Sequence, residues 1–314
     1  MTQRDADSRP PLPSALRDER AQRVAVGTGP DAITLNVRVS PNAGPPLLLL
    51  HGHPQTHLMW HRLWPLLAPH FTLVAPDLRG YGDSDKPPGS ADHATYSKRA
   101  MAADLVALMA SLGHDQFLVL AHDRGARVAH RLAMDEPARV RAMVLLDIAP
   151  TLSMYEQTSE AFARAYWHWF FLIQPAPLPE TLIGANGALY VRSVLGRRHA
   201  GLGPFPADVL AEYERCACDP ATIHAICEDY RASASIDLAH DRADRAAGRR
   251  LRVPLRLVWG QHGVVARCFD VLHEWRRVAE SVEGGALECG HYLAEEAPDA
   301  LVSDTLPFLM IHGG

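Results

Sequence analysis

The chain has 314 residues, 47% of them hydrophobic, which is enough for one large domain with a sizeable core or for a domain carrying an insertion. A formal net charge of -5 and a pI near 6.4 provide no electrostatic footprint for nucleic acid, and no run of 18 apolar residues is available to span a bilayer. The five cysteines are an odd number with no zinc spacing and no preceding secretory signal, so reduced thiols and a cytoplasmic setting are expected.

Residues 1–23, rich in Arg, Asp and Pro, read as a flexible N-terminal tail. Val24–Thr28 and Ile33–Val39 alternate as strands do, and Pro46–Leu50 is a continuous apolar run that ends in His51-Gly52-His53-Pro54. Phe71–Ala75 is the next buried-strand run, followed by the glycine-punctuated loop Asp77-Leu78-Arg79-Gly80-Tyr81-Gly82. Tyr96–Leu112 has helical spacing.

Phe117–Leu120 leads through Ala121-His122-Asp123-Arg124-Gly125 into a helix to about Ala133, and Ala142–Leu146 is a further strand ending at Asp147. This alternation predicts a mostly parallel, doubly wound α/β sheet. From Thr151 to Arg242 the pattern breaks into aromatic and helical segments with prolines, which predicts an inserted helical cap over 151–242 between core segments 24–150 and 243–314. Val253–Trp259 and Gly285–Glu288 restore strand character, and Ala297–Met310 reads as a closing helix.

The most informative stretch is Leu120 to Arg127. A small-x-nucleophile-x-small turn between a strand and a helix is a nucleophile elbow, here with aspartate where esterases carry serine. A carboxylate attacks esters poorly but can displace a leaving group from saturated carbon, so an alkyl halide or an epoxide becomes the expected electrophile. An aspartate that merely caps a helix has the same local sequence.

In an α/β-hydrolase fold the nucleophile, acid and base follow in that order on loops at the carboxyl ends of strands. Asp123, Asp147 and His291 satisfy that order. The other place for the acid, after Val253–Trp259, is Gly260-Gln261-His262-Gly263 and holds no aspartate, which favours Asp147.

The chain resembles the fluoroacetate (haloacetate) dehalogenases of the α/β-hydrolase superfamily, from about residue 45 to 300. The matching motifs are His-Gly-x-Pro-Gln-Thr-His (51–57), Asp-Leu-Arg-Gly-Tyr-Gly (77–82), His-Asp-Arg-Gly-Ala-Arg (122–127), Leu-Asp-Ile-x-Pro-Thr (146–151), Tyr-Trp-His-Trp-x-Phe-Leu-x-Gln-Pro-Ala-Pro (166–177), Cys-Glu-Asp-Tyr-Arg-Ala (227–232) and Gly-His (290–291). The first two are shared across many hydrolases; the arginine pair and the His-Trp motif are more specific.

The resemblance implies Asp123 as nucleophile, His291 as base, Asp147 as the acid that orients it, and Arg124 and Arg127 as carboxylate ligands. It also implies His168, Trp169 and Tyr230 as halide donors, with the backbone N–H groups of His53 and Arg124 forming an oxyanion hole. No metal or organic cofactor is required, the implied partner is a small anionic halo acid, and a homodimer is suggested.

Paired arginines have an independent physical reason. An anionic substrate about 4 Å from an anionic nucleophile is repelled by roughly 1 kcal/mol in water and about 4 at an effective dielectric of 20. The helix N-terminus adds to the arginines' positive potential.

Two departures bear on the substrate: His53 stands where the family usually has phenylalanine, and Arg197 where relatives carry a tryptophan near the ligand. The rival readings are an epoxide hydrolase with the same triad, which usually has tryptophan after the nucleophile and two cap tyrosines, and a catalytically silent binding protein of the same fold. Haloalkane dehalogenation fits less well, because a neutral substrate gives paired arginines no role.

Overall fold

The computed structural model describes residues 21–29 and 32–314. Eight strands form one sheet: β1 (Ala21–Val26), β2 (Ile33–Val39), β3 (Pro46–Leu50), β4 (Thr72–Pro76), β5 (Phe117–His122), β6 (Val140–Leu146), β7 (Leu255–Gly260) and β8 (Val282–Leu287). Their order is β1-β2-β4-β3-β5-β6-β7-β8. β1 and β2 run antiparallel, and every pairing from β4 to β8 is parallel. The expected α/β-hydrolase sheet is therefore present.

Central strands read as unbroken apolar runs because both of their faces are covered. Leu47–Leu50 and Phe117–Ala121 are almost wholly inaccessible, as strands flanked by helices on both sides must be. The chain reverses direction of travel between β3 and β5, so the loops leaving these neighbouring strands open a crevice at the carboxyl edge of the sheet. Every candidate catalytic residue leaves the sheet on this edge.

Between β6 and β7 the chain is helical, from Thr151–Glu156 to Ile236–Ala246, with no strand. Local chemistry sets several of these helices. Ser159 caps Glu160–Ala165 by accepting from the Phe162 N–H, and Asp219 caps Pro220–Ala234, which places Pro220 at a position where the missing N–H costs nothing. The last helix continues past Arg242 to Ala246 and stops before Gly248 at φ 65°, so the expected boundary at 242 falls inside a helix.

Other boundaries also moved. The tail expected over 1–23 lies outside the described residues as far as residue 20, but Ala21–Arg23 belong to β1, paired with Asn36–Arg38, and Arg23 reaches Asp85 at 2.9 Å. β8 begins at Val282 rather than Gly285. Its glycines hide the strand pattern, yet Gly284 at φ 148° is required, since a Cβ there would meet the Leu257 carbonyl oxygen at 1.9 Å. The helix expected from Tyr96 begins at Lys98, capped by Ser97.

Candidate active site

Asp123 opens the helix Asp123–Asp135 at φ 43°, in the left-handed region that an unbranched polar residue tolerates only when its surroundings impose it. Close packing imposes it here. A Cβ on Gly52 would lie 2.7 Å from Asp123 Cβ, and one on Gly125 would lie 2.5 Å from the His51 carbonyl oxygen, so both positions must lack a side chain. The Gly125 N–H donates to His51 O at 2.9 Å, and the His53 N–H donates to Asp123 Oδ1 at 3.2 Å. His51 itself is structural: its Nε2 accepts from the Leu78 N–H at 3.0 Å, tying this loop to the one after β4.

Asp147 follows β6 at φ 47°, a second strained elbow. Its Oδ2 lies 2.5 Å from His291 Nδ1, and its Oδ1 accepts from the Gly260 N–H at 3.1 Å. The loop carrying His291 is fixed at three points. His122 Nε2 donates to His291 O at 2.9 Å, and Glu296 accepts from the N–H groups of Gly290 and Tyr292 at 2.6 and 3.0 Å. Because His122 donates from Nε2, its Nδ1 is the bare nitrogen of a neutral ring; burial pushes this imidazole down to about 3.

Burial alone would raise the Asp123 carboxyl, but its electropositive surroundings, His291 and Arg127 first, then His122 and Arg124, outweigh burial and hold Asp123 well below the usual carboxylate range. The group is an anion throughout the physiological range.

The two expected carboxylate ligands differ. Arg124 is locked by Asp229: its Nε donates to Asp229 Oδ2 at 2.9 Å, and its Nη2 donates to Oδ1 and the backbone O, each at 2.8 Å, and to Ser233 Oγ at 2.6 Å. Only Nη1 is left without a partner. Asp229 in turn takes Tyr81 O–H at 2.7 Å and pairs with the buried Lys98. Although burial raises the Asp229 carboxyl, Arg124 and then Lys98 pull it far below its ordinary value. Arg127, by contrast, meets neutral groups, with Nη1 on Thr151 Oγ1 at 2.9 Å and Ala149 O at 3.2 Å, Nη2 on Met154 Sδ at 3.1 Å, and Nε unpartnered.

The expected halide donors come from two of the helices between β6 and β7. His168 and Trp169 lie on Trp167–Leu172 and Tyr230 on Pro220–Ala234, and all three are buried. The Arg124 guanidinium sits 4.0 Å above the Tyr230 ring and that of Arg127 4.6 Å from the Trp169 ring. His53 joins them, 5.4 Å from Tyr230 and 6.0 Å from His168 between ring centroids. Tyr230 O–H, Trp169 Nε1, Arg124 Nη1, Arg127 Nε and His53 Nδ1 are all buried without a protein partner. Such atoms are costly to leave unmet, and five in one cluster make this the candidate binding site.

Burial keeps Tyr230 far above its ordinary value and His168 far below its own, so both are neutral donors. All nine sequence-predicted residues thus fall in one buried cluster. Asp229, Lys98, Ser233 and Tyr190, whose O–H lies 2.9 Å from His53 Nε2, had no sequence signal beyond the Cys-Glu-Asp-Tyr-Arg-Ala motif that contains Asp229. Arg197 is exposed and takes no part in the site. Its neighbour Arg198 turns inward over the Tyr166 ring at 4.4 Å.

A family profile described as alpha/beta hydrolase fold matches residues 45–297. The fluoroacetate dehalogenase of Burkholderia sp is 43% identical over 268 residues, covering 85% of this chain and 87% of that protein. The soluble epoxide hydrolase of Corynebacterium sp. (strain C12) is 35% identical, with 86% and 92% covered. A crystal structure from Nostoc sp PCC 7120, assigned to the alpha/beta hydrolases, superposes with a TM-score of 0.87 at 50% identity, over 93% of this chain and 98% of the other. The chain belongs to the α/β-hydrolase superfamily and, within it, to the fluoroacetate (haloacetate) dehalogenase family. It is a hydrolase, and among the described residues no helix is long and apolar enough to cross a membrane.

Proposed function

We propose that this enzyme hydrolyses a haloacetate to glycolate and halide through an ester on Asp123, with the insertion acting as a cap that brings its own donors to the carbon-halogen bond. The observation that carries this reading is the set of unpartnered buried donors around an ionised aspartate in a strained elbow. The substrate carboxylate takes Arg124 Nη1 and Arg127 Nε, which turns the carbon toward Asp123.

An Asp123 carboxylate oxygen attacks the α-carbon in line, and the carbon-halogen bond breaks with its electron pair leaving on the halide. Fluoride is small and heavily hydrated in water. Trp169 Nε1–H, Tyr230 O–H and a His168 ring N–H supply desolvated donors in place of that water as charge develops. His291, oriented by Asp147, then takes a proton from water, whose oxygen attacks the Asp123 side-chain carbonyl carbon. The resulting oxyanion is met by the His53 N–H, already 3.2 Å from Asp123 Oδ1, and by the Arg124 N–H at the helix start. Collapse expels the glycolate oxygen, which recovers the proton from His291.

Epoxide hydrolysis is the second reading. It is supported by the 35% identical relative and by the free Tyr230 O–H, which could protonate an epoxide oxygen. A neutral epoxide leaves Arg127 without a charged partner, which weighs against it. Incubation with fluoroacetate, chloroacetate and styrene oxide, scored for halide and diol, tests the choice. Halide from the acids is the expected outcome; diol without halide would overturn the reading, and ligand binding with neither product would mark a silent member of the fold.

A further inference from the structure

Counting formal charges around Asp123 shows which cations are free to act on a ligand. Arg124 and Lys98 are matched by Asp229 and Asp237, with Lys98 Nζ 3.9 Å from Asp237 Oδ2 and its backbone N–H on Oδ1 at 2.9 Å. These four groups cancel. Asp123 and Asp147 then carry two negative charges, and Arg127 and Arg198 are the two cations near them without a carboxylate partner among the described residues.

Arg198 is partly buried and held in place. It follows the helix Gly187–Gly196, and its guanidinium stacks on Tyr166. The Tyr166 ring stacks on His168 at 5.5 Å and meets His291 edge-on at 6.3 Å. The next residue, His199, stacks on His262 at 4.4 Å, and its Cβ presses so closely on the His291 loop that a Cβ on Gly290 would approach it to 2.7 Å. The turn is therefore anchored to the catalytic base, with a cation on its inner side. The Arg198 charge reaches Asp123 and Asp147, and it is the strongest charge acting on His168.

We propose that Arg198 is a specificity-determining residue: together with Arg127 it makes the buried catalytic centre formally neutral, so that the centre takes up a monoanionic α-halo acid in preference to the neutral amide of the same acid. Without Arg198 the empty site would carry a net negative charge, and an entering carboxylate would add a second in a region where charges are poorly screened. The assignment rests on the dehalogenase reading and adds a residue and a selection rule to it.

The test compares kcat/KM for chloroacetate and chloroacetamide, by chloride release, in wild type, Arg198→Met and Arg198→Lys, with Asp123→Asn as the blank for thiol alkylation. Loss of one unit charge at moderate distance should lower the acid-to-amide ratio about tenfold or more in Arg198→Met, and Arg198→Lys should restore most of it. An unchanged ratio in Arg198→Met would overturn the proposal, whatever happens to absolute activity.

If wild type releases chloride from neither compound, the dehalogenase reading falls on its own. In that case, or if Arg198→Met is inactive, glycolate-induced shifts in Tm decide. A rise in wild type that disappears in Arg198→Met supports the assignment, and an equal or absent rise overturns it.

Discussion

Asp123 is ionised and strained, and the residues around it divide into those whose polar atoms are all paired and those that keep an unpartnered donor. Asp123→Asn should abolish halide release, by about 10³-fold or more; release at the wild-type rate would refute the nucleophile assignment. His291→Asn should stop the cycle at the ester, leaving the protein heavier by one carboxymethyl group in a mass spectrum. Asp123 is held far below its ordinary value, and Arg127 and Arg124 still act on it when His291 is replaced, so the single-turnover halide burst of His291→Asn should keep its amplitude down to about pH 3. Burst amplitude against pH checks this, and a fall on the acid side near the normal carboxylate range would show that the carboxyl is not depressed.

Asp229 makes a separate case. Asp229→Asn leaves Arg124 a buried cation without its carboxylate and Lys98 with only the more distant Asp237. It should cost about 3–5 kcal/mol of stability in urea unfolding and raise KM for the acid, because Arg124 loses the fork that aims Nη1.

The strand-turn-helix β5 to Asp123–Asp135 works because three loops meet with no room to spare. Gly52 lets the loop after β3 press on the elbow, and Gly80 at φ 85° lets the loop after β4 press on the insertion, where an added Cβ would strike Ala225 at 2.7 Å. That second contact seats Tyr81 against Asp229 and so connects a motif common to many hydrolases with the arginine particular to this site. Gly52→Ala should keep the fold, as judged by circular dichroism, and lower kcat by about 100-fold, because the added methyl displaces Asp123 and the His53 N–H that faces it. Wild-type kcat would show that the elbow relaxes without consequence.

Across the whole molecule, the buried titratable groups are joined by long-range contacts. Glu295, which accepts from Gln55 Nε2 at 2.7 Å and Tyr213 O–H at 3.1 Å, anchors the segment after His291 to the loop after β3. Burial pushes its carboxyl up to about 8. The folded state then holds a proton that the unfolded chain loses near its ordinary value. The associated stability is present in full below about pH 4.5 and is lost as the pH rises through about 8. Denaturation midpoints should therefore fall from acid toward neutral and alkaline pH, and Glu295→Gln, which cannot ionise, should flatten that fall. An unaltered profile in the variant would remove Glu295 as its cause.

Local pattern carried the sheet and the placement of Asp123, Asp147, His291 and the arginine pair at one edge of it, because strands buried on both faces are apolar runs, an elbow is a short string, and the candidate residues follow strand order. It lost the start of β8, where close approach to β7 demands glycine, and the end of the helix Ile236–Ala246, which has no breaker before Gly248. Which atoms of each arginine are free was invisible in the chain. Arg124 meets Asp229 across 105 positions, and Arg198 rather than Arg197 turns inward over Tyr166 where the helix has ended at Gly196 and His199 stacks on His262. Residue types thus set the available chemistry, whereas charge cancellation and side-chain direction depend on partners that only folding brings within a few ångströms.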